Sequence, residues 1–221
     1  MSNNSPCILH IETSGKLCSV ALSKGGKILS CLEEYDEKYI HAEKTTVFIQ
    51  QLVKDHLSSI KELSAISISI GPGSYTGLRI GLSTAKAMSF ALDIPLIPIN
   101  TLDIYLHLLE HVNTNKFAML DARRMEVYAK GVRHDGIVIL PSSAQIVEEN
   151  SFKDFEPFMV IGDATDKLSE LWKERKNIAF SEVKSVSARH QLELALLQYE
   201  SGTYQDTEKI VPLYLKEFQS N

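Results

Sequence analysis

Hydrophobic and polar residues alternate with two different periods in the first half of the chain, and the changes of period predict its elements. Apolar and β-branched residues cluster in three short runs separated by glycine-containing turns, which predicts an antiparallel meander of three strands. The runs lie at 7–13, 16–24 and 25–34. From Ala42 apolar residues recur every three or four positions, as on an amphipathic helix. A strand, a glycine loop, a second helix and a further strand follow, so the predicted order is β-β-β-α-β-α-β.

The second half repeats this theme less regularly. Four apolar runs predict strands, and a helix is expected at 164–173. The runs lie at 116–122, 126–133, 136–140 and 157–163. A last helix is expected from Ser187 to Glu200, because Ser187 is a suitable N-cap residue. The sequence contains no Pro/Ser-rich linker, so we expect two α/β halves that pack together, with a boundary near 100–115.

Composition narrows the class of protein. With 221 residues, 44% of them hydrophobic and 23% charged, the chain is typical of a globular protein with a sizeable core. The net charge of −5 and the lack of a dense Lys/Arg cluster argue against nucleic-acid binding by this chain alone. Any such contact is expected to be shared with a partner. Three isolated cysteines, without a signal peptide or a long apolar run, predict a cytoplasmic protein with no membrane association.

The segment SISIGPGSYTGLRIG, at 67–81, is the main candidate site. A strand that runs into glycines and then into a helix exposes the first N–H groups of the helix, and these can bind an anion. The segment matches neither the Walker A pattern nor the dinucleotide fingerprint, because Leu78 follows Gly77 and Thr76 stands at the third glycine position. Two interpretations stay open: a phosphate site, or a tight turn whose small residues allow close packing, including that of a partner helix.

Three other strings carry candidate chemistry. HLLEH, at 107–111, matches a zinc-protease motif, but a zinc site needs a third ligand, and two half-exposed helical histidines are the simpler interpretation. Glu12 precedes a hydroxyl-rich turn and could hold Mg²⁺ through water, or it is solvated on an ordinary hairpin. Arg123 and Arg124 lie in a strand-to-strand turn, where they form a local salt bridge or face an anion or a partner.

Several segments, in this order, resemble the TsaB (YeaZ) family of tRNA threonylcarbamoyladenosine biosynthesis proteins. They are ILHIETSGKLCSVAL, HAEKTTVFIQQLV, GPGSYTGLRIGLSTAKAMSFALDIPLIPI, DARRMEVY, VIGDA and PLYLK, and they span nearly the whole chain. The resemblance implies an α/β protein of the actin/Hsp70-like (ASKHA) fold, with two RNase-H-like subdomains whose mixed β-sheets are flanked by helices. It implies an N-terminal, partner-binding subdomain at 1–102 and a smaller, degenerate subdomain at 103–221, with the last residues expected to pack back on the first.

The resemblance also implies a role and partners. Family members bind TsaD, the catalytic subunit that modifies adenosine 37 of ANN-decoding tRNAs, work with the ATPase TsaE, form homodimers when alone, and contact tRNA only through the complex. This chain is therefore expected to be a non-catalytic scaffold, a pseudoenzyme subunit with no tightly bound cofactor and no metal. ADP or ATP at the interface with TsaD stays open as a nucleotide role. The alternative is a glycoprotease-like peptidase or an ATPase that acts on its own.

The family's motifs transfer to specific residues of this chain. Partner contacts are expected from two N-domain helices, at His41, Thr45, Phe48, Leu52, Leu78, Leu82, Lys86 and Phe90. An interfacial nucleotide or anion is expected to contact Glu12, Thr13, Ser14, Gly73, Ser74, Tyr75 and Thr76. The two metal-ligand positions of TsaD fall near Thr101 and Tyr105, which lack the imidazole groups that such a metal needs.

Overall fold

The computed structural model describes residues 5–36, 40–202 and 204–216. These residues form two compact units, the first within Met1–Thr101 and Val186–Leu213 and the second within Leu102–Ser185 and Tyr214–Asn221. The sequence is expected to place 103–221 in the second half, with the last residues packing back on the first; in the structure 186–213 belongs to the first unit. None of the described helices combines the length and the apolarity that crossing a bilayer requires.

Five strands of the first unit form one mixed sheet. They are β1 (Cys7–Glu12), β2 (Leu17–Lys24), β3 (Lys27–Tyr35), β4 (Ala65–Gly71) and β5 (Leu96–Asn100). Their order across the sheet is β3-β2-β1-β4-β5. Strands β1 to β3 are antiparallel, while β4 and β5 run parallel to β1. The predicted meander and the crossover strands that follow it are therefore confirmed.

Two long helices cover one face of this sheet. They are α1 (His41–His56) and α2 (Tyr75–Leu92), and they lie side by side. Successive side chains of a strand point to opposite faces, so every second residue of β1 and β4 faces these helices. Ile66 of β4 shares one apolar cluster with Ile49 of α1 and Leu82 of α2. Each fully buried side chain of this size contributes roughly 1.5–3 kcal/mol to folding, which holds both helices on the sheet.

The second unit repeats the strand arrangement of the first. Its strands are β6 (Asn115–Asp121), β7 (Glu126–Val132), β8 (Val138–Ile146), β9 (Phe158–Ile161) and β10 (Ile178–Phe180), and the helices of this half are α3 (Thr101–His107) and α4 (Thr165–Leu171). The order is β10-β9-β6-β7-β8, with β6 to β8 antiparallel and β9 and β10 parallel to β6. The predicted actin/Hsp70-like fold, with two RNase-H-like sheets, is confirmed by this repeated arrangement.

Aromatic rings fill the core of the second unit. The ring of Phe158 lies edge-on to those of Phe117 and Trp172, with centroids 5.0 and 5.9 Å apart. Such tilted pairs add to the free energy gained from burial alone. Helix α3 and strand β10 were not predicted, because elements of seven and three residues are too short for a clear hydrophobic period.

The segment 186–213 joins the first unit through a short 3₁₀ helix, Ala188–Gln191, followed by α5, Leu192–Ser201. Ser187 caps the 3₁₀ helix, as its Oγ accepts a hydrogen bond from Arg189 N. The helix predicted from Ser187 is therefore a 3₁₀ turn that continues as an α-helix. These elements pack on the face of the sheet opposite to α1 and α2.

A buried polar layer joins this segment to the sheet. His10 Nδ1 lies 2.7 Å from Ser67 Oγ, and His10 Nε2 lies 2.8 Å from Ser23 Oγ. Ser67 Oγ donates to Gln191 Oε1 at 2.7 Å, and Gln191 Nε2 donates to Ile11 O at 2.8 Å. Buried polar groups are costly unless they are paired, so these bonds explain why 186–213 belongs to the first unit.

Replacing His10 with asparagine is predicted to remove a pH-dependent loss of stability. Burial lowers the pKa of His10 from 6.5 to about 3, so the folded state keeps this ring neutral. The unfolded chain binds a proton below about pH 6.5, and unfolding is therefore favoured as the pH falls from 6.5 towards 3. In this window the free energy of unfolding of the wild type should fall by about 1.4 kcal/mol per pH unit relative to His10→Asn.

Urea denaturation of both proteins at pH 7, 6 and 5 measures this difference. Other titrating groups are common to the two proteins and cancel in the comparison. If the free energies of unfolding of the two proteins differ by the same amount at pH 7, 6 and 5, the acid sensitivity is not due to His10.

Candidate functional site

The glycine loop between β4 and α2 is closed by hydrogen bonds within the chain. Ser74 is the N-cap residue of α2, and its Oγ accepts from Gly77 N at 3.2 Å. Ser74 N donates to Ser14 O at 2.7 Å, which ties the loop to the turn after β1. Two N–H groups at the start of α2, of the kind that bind an anion, are thus used by the chain itself.

Three glycines allow α2 to lie directly on the turn after β1. A Cβ atom at Gly73, Gly77 or Gly81 would approach the nearest atom of this turn closer than 3.0 Å, which real Cβ atoms do not do. The blocking atoms are Ser14 O, Thr13 O and Thr13 Oγ1, in that order. Gly77 and Gly81 are four residues apart and so share one side of α2, while Gly73 lies in the loop just before the helix. Close packing accounts for all three.

Glu12 ends β1 next to this contact and is only 1% exposed. Its Oε1 accepts from Ser14 N at 2.7 Å, and its Oε2 lies 3.4 Å from Gln191 Nε2. Burial raises the pKa of Glu12, and the hydrogen bonds from Ser14 and Gln191 offset part of this effect. The solvated carboxylate considered in the sequence is therefore an enclosed group that bonds to donors of its own chain.

The seven residues predicted to contact a nucleotide or anion meet around this turn but differ in exposure. Glu12, Thr13 and Ser14 are buried, Gly73 and Ser74 are half-buried, and Tyr75 and Thr76 are exposed. On the exposed side the guanidinium of Arg79 lies over the ring of Tyr75, 3.9 Å from its centroid. The outer surface of the loop is thus a cation–π pair at the start of α2.

Five of the eight residues predicted to bind a partner lie in the core of the first unit. Their exposure is at most 5%: His41, Thr45, Leu52, Leu78 and Leu82. The apolar stripe that identifies each helix in the sequence is the stripe that packs on the sheet, so these side chains are enclosed. The structure corrects this part of the prediction, because such residues offer no surface to a partner.

The other three predicted residues reach the surface to different degrees. Phe48 and Lys86 are half-buried, whereas Phe90 is 83% exposed. Further exposed positions of the helix pair were missed, among them Val47 and the small residue Ala87. They lie off the core stripe, and the helical period could have located them once the buried side was known.

A cleft of about 940 Å³ opens beside Phe90 at the C-terminal end of α2. Lys86 and Asp93 line one side, and Tyr204 and Glu208 line the other. Lys86 Nζ donates to Glu208 O at 2.9 Å, which joins the two sides. An exposed aromatic ring next to a concave, partly charged surface is a suitable contact for another protein chain.

Comparison with known proteins decides the family. Residues 38–201 match a family model described as TsaD, tRNA N6-adenosine threonylcarbamoyltransferase. The chain is 26% identical to tRNA threonylcarbamoyladenosine biosynthesis protein TsaB of Haemophilus influenzae, over 95% of this chain and 93% of that protein. It is also 26% identical to the Escherichia coli TsaB, over 95% and 94% of the two chains. The chain belongs to the TsaB (YeaZ) family.

A solved structure agrees with this assignment at the level of the fold. YeaZ from Pseudomonas aeruginosa superimposes with a TM-score of 0.78, over 95% of this chain and 100% of that chain, at 24% identity. The TsaB-like fold therefore extends through both units of the chain.

The zinc-protease string of this TsaB-family chain is not helical throughout. Helix α3 ends at His107, and His111 lies beyond it with a side chain that is 91% exposed. Each histidine faces Glu110, at 3.2 Å for His107 Nδ1 and 3.4 Å for His111 Nε2. The two histidines on one helix face that the motif requires are therefore not formed here.

Gly77→Ala is predicted to destabilise the first unit, whereas Gly15→Ala is not. The methyl group at Gly77 would collide with Thr13 O, a backbone atom, whereas a Cβ at Gly15 has no neighbour within 4 Å. Overpacking of this kind costs about 1–3 kcal/mol, while glycine to alanine at an open site changes stability by about 1 kcal/mol or less. Urea denaturation of the two variants provides the measurement. Equal free energies of unfolding would refute the close-packing explanation.

Proposed function

We propose that this chain is a non-catalytic subunit that binds a TsaD-type threonylcarbamoyltransferase and is required for tRNA threonylcarbamoyladenosine biosynthesis. The observation that carries this proposal is the match, over nearly the full length of both chains, to TsaB biosynthesis proteins. The match of 38–201 to the TsaD model supports a partner of related fold. In a twofold-symmetric dimer both subunits use the same surface patch, and we expect a partner of related fold to use the equivalent patch.

The non-catalytic role is supported by the polar residues of the candidate site, which form hydrogen bonds within the chain. The carboxylate of Glu12 and the N–H groups of the glycine loop bond within the chain. Thr101 and Tyr105, at the positions of the TsaD metal ligands, are buried, and the Tyr105 hydroxyl donates to Lys184 O at 3.0 Å. The Tyr105 hydroxyl is thus bonded within the chain, and neither a threonine nor a tyrosine at these positions supplies an imidazole ligand.

The proposed TsaD contact is the exposed side of α1 and α2. Phe90 and Val47 are exposed apolar side chains, and Ser83 and Ala87 are small residues on the outer side of α2. Small residues allow the backbone of a partner helix to approach, while an exposed aromatic ring is a typical binding hot spot. The core beneath holds this surface in a fixed position.

The remaining partners follow from the same proposal. A second copy of the chain would use this surface when TsaD is absent, and a TsaE-type ATPase would join the complex with TsaD. The tRNA would be bound through the complex, and ADP or ATP would bind at the TsaD interface near Tyr75 and Thr76, the exposed members of the predicted anion set.

Reconstitution tests the proposed requirement. Unmodified tRNA, TsaD, TsaE, ATP and a source of threonylcarbamoyl-adenylate are incubated with and without this chain. We expect nucleoside analysis to show threonylcarbamoyladenosine only when the chain is present. Modification at the same rate without it would contradict the proposal.

Phe90→Glu is predicted to weaken the association with TsaD. A carboxylate in place of a buried interface ring loses the apolar contact and leaves an unpaired charge, so the Kd should rise at least about 30-fold. Leu197→Glu is the matched control, because Leu197 is a 66% exposed leucine on α5. Calorimetric titration of TsaD with both variants measures the effect. An unchanged Kd for Phe90→Glu, in a folded variant, would move the interface away from α2.

A further inference from the structure

The turn between β6 and β7 holds two adjacent arginines in the left-handed backbone region. The φ angle is 69° at Arg123 and 52° at Arg124. This region is unfavourable for residues that carry a Cβ, and turns with two positive φ angles favour asparagine and glycine. The turn is therefore less stable with two arginines than it would be with asparagine and glycine. Residues held in such unfavourable backbone conformations concentrate at functional sites.

The backbone of this turn is fixed by one lysine and one aspartate. Asp121 Oδ1 accepts from Arg123 N at 2.8 Å and from Lys167 Nζ at 2.6 Å. Lys167 Nζ also donates to Arg124 O at 3.1 Å and to Glu126 O at 2.7 Å. The ammonium of Lys167 is thus used to hold main-chain oxygens, and the turn is preorganised.

Two of the carboxylates around the turn are paired with lysines, and a third, Asp163, accepts from Asp121 N through Oδ1 at 2.7 Å. Asp121 pairs with Lys167, and Glu126 pairs with Lys216. Arg123 and Arg124 are exposed, and within residues 5–36, 40–202 and 204–216 neither guanidinium forms an ion pair. Two positive charges therefore project from a rigid turn of a chain whose net charge is −5.

We propose that the Arg123–Arg124 turn binds phosphate groups of a ligand held by the complex with TsaD. A guanidinium presents a planar fork of donors that matches two oxygens of a phosphate, and a preorganised turn loses little entropy on binding. The phosphate belongs either to the tRNA backbone or to a bound nucleotide. This inference rests on the proposed function, because both ligands reach the chain as part of that complex.

The test uses the double variant Arg123→Asn/Arg124→Gly in the full-length chain, assembled with TsaD. Both new residues suit a positive φ, so the melting temperature of the chain should rise by roughly 2–4 °C. Binding of an unmodified tRNA transcript should weaken at least about 10-fold, and the slope of log Kd against log salt should fall by about 1–2. A parallel titration with Mg·ATP and with ADP forms the second arm.

The two arms distinguish the source of the phosphate. Weaker tRNA binding with unchanged nucleotide binding assigns the turn to the tRNA backbone, whereas a loss of about 10-fold or more in the nucleotide arm alone assigns it to the nucleotide. A matched control, Lys153→Ala/Lys176→Ala, removes two exposed positive charges from the same unit and should leave both affinities within about twofold. The variant Arg123→Lys/Arg124→Lys keeps both positive charges but lacks the planar guanidinium donors. Its affinity for the phosphate ligand should therefore lie between those of the wild type and the Asn/Gly variant.

Unchanged affinity for tRNA, ATP and ADP in the assembled double variant overturns the inference. A lower melting temperature also counts against it, because the arginines would then stabilise the turn. Co-purification with TsaD is scored separately for the wild type and the variant. A complex that forms normally but shows no change in ligand binding refutes this inference and leaves the proposed function standing, whereas a wild-type chain that does not bind TsaD refutes both.

Discussion

The turn at Thr13 and Ser14 lies directly against the glycines at the start of α2, and the first unit is organised around this contact. Gly77 and Gly81 let the helix axis come close to the turn, and the bond from Ser74 N to Ser14 O sets its direction. Because the start of α2 is fixed against β1, its apolar side lies over the sheet, and α1 packs beside it. One close approach thus positions both helices.

The surface available to a partner follows from this position. A helix whose apolar stripe is enclosed can bind other proteins only with the residues that remain outside, here Phe90 and its small neighbours. The apolar residues Leu78 and Leu82 contribute to stability, and the exposed ring of Phe90 makes no comparable contribution to the isolated chain. An exposed aromatic side chain of this size lowers solubility unless a partner covers it, and this supports the proposed interface at this end of α2.

Much of the fold could be predicted from the sequence, because the strands of the first unit and the helices α1 and α2 each follow a single clear period. The side of α2 that faces the sheet could not be predicted, because Leu82 and Phe90 are both apolar. Only the packed structure shows that Leu82 is buried and Phe90 is exposed. The close-packing role of the glycines could not be predicted either, because it depends on contact with Ser14, which is distant from them in the sequence. The packing of 186–213 on the first unit could not be predicted from the hydrophobic pattern, because it depends on polar contacts such as that of Ser67 with Gln191.

Two sets of polar residues, one in each unit, are used in opposite ways, and this difference separates folding from binding. In the first unit Glu12 and His10 are buried and bonded to their own chain, so groups that suggest chemistry in the sequence are explained by stability. In the second unit the backbone at Arg123 and Arg124 is strained and their side chains face solvent. A polar group satisfied inside the chain needs no ligand to account for it. The proposed phosphate ligand would account for a strained, exposed pair of charges that forms no ion pair among the described residues.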